Sequence, residues 1–442
     1  MAGISMETYN SLVKKVGSND ILVGILGLGY VGLPLAVLFA KKGVRVLGFE
    51  KSDNKTKHVN DGVNYIGDVD DADLHEVVSS GMLQATSDFS RISECDAILI
   101  CVPTPLDAFR KPDMSYIESA CTDIGKHMKK GVFISLESTT YPTTTENFML
   151  PIIEKYSGKK HGVDFWLCFS PERVDPGNKT YKTENTPKVI GGLGEKAIDL
   201  GLAIYGKAIS HLHPVSSPKV SEMVKILENT YRLVNISLIN ELALLCGKMG
   251  IDIWEVIDAA KTKPFGFQAF YPGPGIGGHC IPLDPFYLEY IAKKYKFNLT
   301  MINTADNIEN LMPHRMTIKI NSALNRHEKS INRSKILFMG VAYKPDIADE
   351  RESPALRIMD EVAKKNGAVH YNDPYIPEVT TEEGRRFAST ELSDELIREM
   401  DCVVFVTNHS VYDVQRIVNN ARLVVDLRNA TNGIVDNKIY KL

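Results

Sequence analysis

The sequence has no apolar run approaching the ~20 residues a helix needs to cross a bilayer, so no membrane-embedded segment is expected. It has no basic block either. With 51 Lys and Arg against 55 Asp and Glu, the net charge is −4, which gives nucleic acid and anionic membrane surfaces no compositional footprint. The first twenty residues mix polar and charged positions and lack an apolar core of about 7–15 residues, so a secretory leader is not expected. Cysteine is scarce and irregular: Cys95, Cys101, Cys121, Cys168, Cys246, Cys280 and Cys402. The count, 7, is odd, and no pair has C-x-x-C spacing. This argues against a disulfide framework and a structural zinc site, and for a reducing cytoplasm with no bound metal.

What is present is ordinary for a soluble globular chain, at 44% hydrophobic and 24% charged residues. A length of 442 residues accommodates two or three domains of ~100–200 residues each. Most cysteines fall in apolar runs such as Ile98-Leu-Ile-Cys101 and Cys402-Val-Val-Phe405, and read as small core residues. Cys280 does not. It lies within Tyr271-Pro-Gly-Pro-Gly-Ile-Gly-Gly-His-Cys-Ile-Pro-Leu-Asp-Pro-Phe286, a stretch whose Gly and Pro content predicts a loop over its whole length. Its glycines fit tight turning and close backbone approach to a ligand. The thiol is either incidental to that loop or its reason.

The first half reads as strand, G-x-G-x-x-G, helix, strand, acid. Ile21–Leu26 leads to Gly27-Leu-Gly29-Tyr30-Val31-Gly32, then a helical stretch from Leu33 to Lys42, then Val44–Phe49 and Glu50. Each part has a function in dinucleotide binding. Gly27 allows the tight turn, Gly29 admits a pyrophosphate, Gly32 lets helix and strand approach, and helix N–H groups hold the phosphate charge. Glu50 suits ribose hydroxyls and repels a 2′-phosphate, favouring NAD over NADP. Lys55 is a further candidate at the adenosine end. Later strands end in polar groups: Cys95–Val102 before Thr104, Gly131–Leu136 before Thr139 and Thr140, and Phe165–Phe169 before Ser170-Pro-Glu172-Arg173. Ligands of open parallel sheets bind beyond strand carboxyl ends, so these residues line a candidate cleft.

Ser217-Pro218 starts a helix, and nothing breaks it before Gly247. At ~30 residues, or about 45 Å, it is long enough to join domains and to pack against a second subunit. Glu222, Lys225 and Asn229 share one of its faces, and Lys225 is either a solvated surface lysine or the cation of a site. The second half repeats the α/β rhythm without a glycine fingerprint. Lys335–Tyr343, Val369–Asp373, Cys402–Thr407 and Leu423–Leu427 read as strands, and Ser353-Pro354 caps a helix. A second dinucleotide is not expected there. Its Tyr343, Lys344, Arg351 and Arg428 suit phosphates. The predicted fold is α/β: two Rossmann-like doubly wound parallel-sheet domains, residues 1–213 and 326–442, joined through a central helical region, 214–325.

In order along the chain, Gly27-Leu-Gly-Tyr-Val-Gly-Leu-Pro34, Ser170-Pro-Glu-Arg173, Glu222-Met-Val-Lys-Ile-Leu-Glu-Asn229, Gly273-Pro-Gly-Ile-Gly-Gly-His-Cys280, Ala342-Tyr-Lys344 and Arg351-Glu-Ser353 resemble the UDP-glucose/GDP-mannose dehydrogenase family, from about residue 20 to 430. The variants Ser170-Pro-Glu-Arg-Val-Asp-Pro-Gly-Asn178 and His279-Cys-Ile-Pro-Leu-Asp-Pro-Phe-Tyr287 look like the branch acting on UDP-N-acetylhexosamines. The apolar Ile281-Pro-Leu283, where UDP-glucose enzymes carry a bulkier aromatic-and-lysine sequence, is consistent with room for an N-acetyl group. The resemblance implies NAD-dependent four-electron oxidation at sugar C6, with UDP-N-acetylglucosamine the expected substrate and the mannosamine or galactosamine epimers as alternatives. The product would serve surface-polysaccharide synthesis. A binding protein that has lost catalysis is the reading from another class.

Carried over residue by residue, the resemblance makes Cys280 the nucleophile, with Lys225 and Asn229 stabilising charge on oxygen and Asp284 handling water. Thr140 and Glu172 would order water or substrate. Gly27, Gly29, Tyr30, Val31, Gly32, Glu50, Lys55, Thr104, Thr139 and Arg351 would hold NAD. Glu172, Arg173, Lys225, Asn229, Tyr271, Gly273, Gly277, Tyr343, Lys344 and Arg428 would contact the sugar nucleotide. His279 is read as loop-shaping, and a homodimer is expected.

Overall fold

A computed structural model describes residues 2–107, 109–174, 178 and 180–442. Asp175, Pro176 and Gly177 of the Ser170–Asn178 motif therefore lie outside the described residues. Two compact units emerge: residues 1–228 with 286–297, and residues 229–285 with 298–442.

The first unit is built on strands β1 (Leu22–Leu26), β2 (Arg45–Phe49), β3 (Leu83–Thr86), β4 (Ala97–Ile100), β5 (Val132–Leu136), β6 (Phe165–Phe169), β7 (Lys188–Gly192) and β8 (Leu212–Val215). They form one sheet in the order β3-β2-β1-β4-β5-β6-β7-β8. β1 through β6 are parallel, in register Leu26↔Phe49 and Leu26↔Ile100 at the centre. Their side chains alternate between two cores, as a pleat requires. Ala97 and Leu99 enter one with Val23 and Ile25; Ile98 and Ile100 enter the other with Leu26 and Ile134. All four residues of β4 are fully buried, which is why this stretch reads as a continuous apolar run rather than an alternating one. Burying each such aliphatic side chain stabilises the fold by roughly 1.5–3 kcal/mol. The expected doubly wound parallel sheet is found, with one strand that runs the other way: β7 pairs antiparallel with β6. The connection from β6 to β7 contains no crossover helix among the described residues, so the chain returns in the opposite direction.

In the second unit, β9 (Lys335–Met339), β10 (Ala368–Asn372), β13 (Cys402–Phe405), β14 (Val424–Asp426) and β15 (Ile439–Lys441) form a parallel sheet in the order β10-β9-β13-β14-β15. β11 (Glu378–Thr380) and β12 (Arg386–Ala388) make a separate hairpin. Two-sided burial recurs: Ile336, Phe338 and Val404 point to one core, and Leu337, Met339 and Val403 to the other. The helix Pro354–Lys364 is capped by Ser353, whose side chain accepts from the Ala355 N–H. The long helix spans Pro218–Met249, 32 residues, and carries the chain from the first unit into the second. Helix Thr300–Asn325 adds a second long element to the second unit.

Candidate active site

Within the first unit the glycine turn has the geometry of a phosphate cradle. Gly27 has φ +92, and a Cβ there would lie 2.7 Å from the Cys101 carbonyl oxygen. A Cβ on Gly32 would lie 1.8 Å from the Gly27 carbonyl oxygen. Only hydrogen fits at either place. Gly29 is different: nothing lies within 4 Å of its Cβ position, so its backbone faces open space. The helix Gly32–Lys41 begins at Val31, and no side chain caps it. Its first N–H groups thus point outward with the positive end of the helix dipole. Glu50, at the end of β2, accepts from Leu28 N at 3.3 Å and from Ser52 N at 3.2 Å. A carboxylate has about four acceptor sites, so capacity remains for ribose hydroxyls. Tyr65, which the motif reading missed, donates to the Leu28 carbonyl at 2.7 Å. Burial, then the Glu50 charge, pushes its phenol well above the usual range. Lys55 is exposed, with Nζ 5.9 Å from the centre of the Tyr65 ring. Tyr30 is exposed, and Val31 and Thr139 are half-buried. These features together fit NAD.

The polar strand ends of the same unit are ordered. Thr140 is buried, and its hydroxyl lies 2.7 Å from that of Thr144, which donates to the Tyr141 carbonyl at 2.8 Å. One hydroxyl has one proton, so Thr140 must donate to Thr144, leaving the Thr140 oxygen an acceptor for water or a substrate hydroxyl. Glu172 folds back onto Arg173 N and Val174 N at 2.7 and 2.8 Å. Lys225 is only 8% exposed and donates to the Glu172 carbonyl at 2.7 Å. The solvated-surface alternative for Lys225 is thereby removed: that side of the helix faces protein. Arg173 bonds Glu228 through Nε and Nη2 and the Pro187 carbonyl through Nη1. In this state it ties its loop to the long helix. Thr104 is buried, and its carbonyl accepts the Tyr287 hydroxyl at 2.6 Å.

In the second unit the thiol lies elsewhere than the sequence implies. Tyr271 to His279 is irregular, but Cys280 is the first residue of a helix, Cys280–Lys294. Pro282 misled the reading. It falls in the first turn, where N–H groups have no intrahelical acceptor and proline loses little. Pro285, deeper in the helix, forgoes one backbone bond. A sulfur at a helix N-terminus is placed where thiolate is favoured. Asp284, one turn on, is 2% exposed. The Asn229 amide nitrogen donates to Asp284, and Arg232 donates to the Asn229 amide oxygen. Arg232 can only donate and ionised Asp284 can only accept, so the orientation of the Asn229 amide is set. Its second N–H remains for an oxygen carrying negative charge. Arg232 was not singled out from sequence, although its i+3 spacing from Asn229 was there to read.

The glycines around the thiol make room for protein as well as turns. A Cβ on Gly273 would sit 2.3 Å from Arg428 Nη1, and one on Gly277 would sit 2.6 Å from Tyr343 Cβ. Gly278 N donates to the Arg351 carbonyl at 2.9 Å, and Gly273 N donates to buried Asn240 at 2.9 Å. The close approach seen at these glycines is that of Arg428 at Gly273 and of Tyr343 at Gly277 and Gly278. Arg428 Nε donates to the Val406 carbonyl at 3.1 Å, and burial pulls its guanidinium down to about 10. Lys344 is half-buried beside Tyr343. Arg351 is exposed and chelated by Asp349. Tyr271 stacks on Trp254 with ring centres 5.8 Å apart.

Comparison with known proteins identifies the family. Models of the UDP-glucose/GDP-mannose dehydrogenase family match in three consecutive stretches: its NAD binding domain over residues 21–209, its central domain over 219–310 and its UDP binding domain over 337–433. The chain belongs to this family. It is accordingly an NAD-dependent enzyme of the UDP-sugar dehydrogenase class. A UDP-N-acetyl-D-glucosamine 6-dehydrogenase of Pseudomonas aeruginosa is 36% identical over 358 residues, covering 81% of this chain and 83% of its own. Among solved structures, the UDP-D-ManNAc dehydrogenase of Pyrococcus horikoshii superposes with TM-score 0.87 at 32% identity, covering 95% of this chain and 99% of its own. The NDP-N-acetyl-D-galactosaminuronic acid dehydrogenase of Methanosarcina mazei Go1 gives 0.80 at 29% identity, covering 98% and 97%.

Proposed function

We propose that the enzyme oxidises the C6 hydroxymethyl of UDP-N-acetylglucosamine to the carboxylate, for surface-polysaccharide precursor synthesis. The observation that carries the reading is Cys280 at a helix N-terminus one turn before Asp284, whose carboxylate is held by an oriented Asn229. NAD, when bound, accepts a hydride from C6 in each of two rounds. Gly27, Gly29, Tyr30, Val31, Gly32, Glu50, Lys55, Thr104, Thr139 and Arg351 are the residues assigned to hold it.

After the first oxidation, Cys280 Sγ adds to the C6 aldehyde, forming the C–S bond of a thiohemiacetal. Lys225 and Asn229 donate to the oxygen that becomes negative, a role worth a few kcal/mol per donor. The second oxidation leaves a thioester. Asp284 takes a proton from water as the water adds to the thioester carbonyl, the C–S bond breaks, and thiolate and carboxylate separate. The balance per sugar is one alcohol, one water and two oxidised cofactors in; one carboxylate, two reduced cofactors and three protons out. Thr140 and Glu172 order water and substrate. Arg173, Tyr271, Gly273, Gly277, Tyr343, Lys344 and Arg428 bind the sugar nucleotide, with the cations facing its phosphates.

The sugar rests on the P. aeruginosa relative and on the apolar Ile281-Pro-Leu283 beside the thiol. The P. horikoshii structure favours UDP-N-acetylmannosamine as the second reading. NADH absorbance with the three UDP-N-acetylhexosamines and UDP-glucose tests both. Two NADH per UDP-N-acetylglucosamine, with the highest kcat/KM of the panel, is expected; preference for the manno epimer selects the second reading, and preference for UDP-glucose overturns both. A homodimer in the cytoplasm completes the proposal. Its support is an apolar stripe along the long helix, Val220, Met223, Leu227, Tyr231, Leu238, Leu242, Leu245 and Met249, each 37–62% exposed. Sedimentation of a Leu227→Glu, Leu245→Glu variant as monomer, against a wild-type dimer, checks it.

A further inference from the structure

Glu222 lies one turn before Lys225 on the long helix and has no part in the chemistry above. It is fully buried. Its carboxylate collects three donors from one short segment of the first unit. Thr143 N reaches Oε2 at 2.5 Å; Thr145 N and Thr145 Oγ1 reach Oε1 at 2.9 and 2.8 Å. That segment is unusual in two ways. Thr143 has φ +85, a left-handed backbone that a β-branched residue keeps only when its surroundings hold it. Directly after it comes a π-helical turn, Thr145–Met149, a form often found at functional sites. Between the two anchored residues sits Thr144, whose hydroxyl fixes Thr140 at 2.7 Å.

We propose that Glu222 is a positioning residue for the dehydrogenase reaction, clamping the Thr139–Thr145 turn to the helix that carries Lys225 and so fixing the Thr140 hydroxyl relative to the Lys225 ammonium. The proposal rests on the catalytic reading of Thr140 and Lys225 given above. A carboxylate is the group the clamp needs, because it alone accepts all three donors at once. A Gln there turns one N–H2 toward a donor and must give up at least one bond. The acid faces Glu146 from the π-turn, whose charge opposes its ionisation, and Tyr141 from the preceding turn, a neutral phenol that burial and, to a lesser degree, the Glu222 charge hold above its usual range. Burial, eased by those hydrogen bonds, pushes its carboxyl up to about 7.

The test uses Glu222→Gln and the milder, near-isosteric Thr145→Val, which removes only the hydroxyl donor. Both are assayed for kcat and for KM of NAD and UDP-sugar, with thermal unfolding followed in parallel. Glu222→Gln is expected to lower kcat by about tenfold or more with KM for NAD within twofold, and Thr145→Val to lower kcat by about two- to threefold. The wild-type kcat should also fall as pH drops through about 7, because protonation removes an acceptor, and that limb should be absent in Glu222→Gln. Folded variants with wild-type kcat and an unchanged pH profile would overturn the proposal while leaving the function standing. Wild-type protein inactive on every UDP-hexosamine would overturn both.

Discussion

Both sheets follow their first central strand with a left-handed glycine and the neighbouring strand with an acid, yet the two acids do different things. In the first unit Gly27 follows β1 and Glu50 follows β2; in the second Gly340, φ +79, follows β9 and Asp373 follows β10. Each acid accepts from the backbone just past its glycine: Glu50 from Leu28 N, Asp373 from Val341 N and Ala342 N. There the likeness ends. Glu50 is half-buried and keeps acceptor capacity. Asp373 has a fully buried side chain and also accepts from Tyr375 N, Ile376 N and His409 Nε2. His409 Nδ1 takes the Asp346 N–H at 3.0 Å, so the ring proton sits on Nε2 and faces Asp373. A Cβ on Gly340 would lie 2.5 Å from Thr407 Cβ. Both left-handed glycines are closed, since a Cβ on Gly27 would also meet backbone, but two residues past them the turns differ: the second has buried Ala342 where the first has Gly29, which faces open space. One βαβ framework is left open for a dinucleotide, and the other is closed on itself. The ligand groups we propose for it, Tyr343, Lys344 and Arg428, lie outside that saturated acid. The same local geometry thus yields a site or a core according to how many donors already saturate the acid.

The sharpest way to break this comparison is to place the same methyl in both halves. Gly32→Ala forces its Cβ against the Gly27 carbonyl and should cut kcat/KM for NAD by about 100-fold, near 2.7 kcal/mol. Gly340→Ala should leave KM for NAD within twofold and lower unfolding free energy by about 3 kcal/mol. Equal effects on both readouts in both variants would erase the distinction. The acids come next. Asp373→Asn leaves buried donors unmatched and should cost about 3 kcal/mol of stability. Glu50→Gln should raise KM for NAD by roughly tenfold, about 1.4 kcal/mol, with little change in melting temperature.

How much of this the sequence makes legible follows from how local each feature is. The first sheet and its glycine turn are readable because Gly27, Gly32 and Glu50 act within one βαβ unit. The helix beginning at Cys280 is not, because Pro282 signals a loop and only its place in the first turn reconciles it with helix. The reversal at β7 is hidden because a five-residue strand, Lys188–Gly192, has the same pattern in either direction. Lys225 could be solvent-facing or buried until its partner at Glu172, 53 residues away, is known. Glu222 stands in a legible motif, but its work is done on residues 77 and 79 positions upstream, beyond the reach of any spacing rule.

Acidity separates the units in sign. Burial raises Asp373, but the His409 and backbone bonds outweigh it and hold the carboxyl below its usual value of 3.8. Its stabilising contribution is therefore complete above that value and lost as pH falls through the folded pKa. Glu222 runs the other way. Between its ordinary 4.5 and about 7 the folded chain holds a proton that the unfolded chain has released, so stability falls as pH rises across that window. Urea unfolding of wild type against Glu222→Gln, at pH 5 and 7.5, should show the wild-type advantage shrinking with pH; against Asp373→Asn, at pH 3 and 5, it should grow.

The smallest expected effects are the most discriminating, because they come from two tyrosines that each donate to a backbone carbonyl, one in the turn after β1 and one at the end of β10. Tyr65 donates to the Leu28 carbonyl at 2.7 Å in the first unit, and Tyr412 donates to the Asn372 carbonyl at 2.8 Å in the second. Each Phe variant removes one hydroxyl and keeps the ring, a change of about 1 kcal/mol. In the open half that hydroxyl braces the turn that receives the cofactor, so Tyr65→Phe should appear as a three- to fivefold rise in KM for NAD. In the second unit the bond braces the end of β10, whose neighbouring acid is already saturated by protein donors, and Tyr412→Phe should appear only as a lower unfolding midpoint. If Tyr65→Phe moved the midpoint and spared KM, the brace would belong to the core in both halves, and the openness of the first would rest on Gly29 and Glu50 alone.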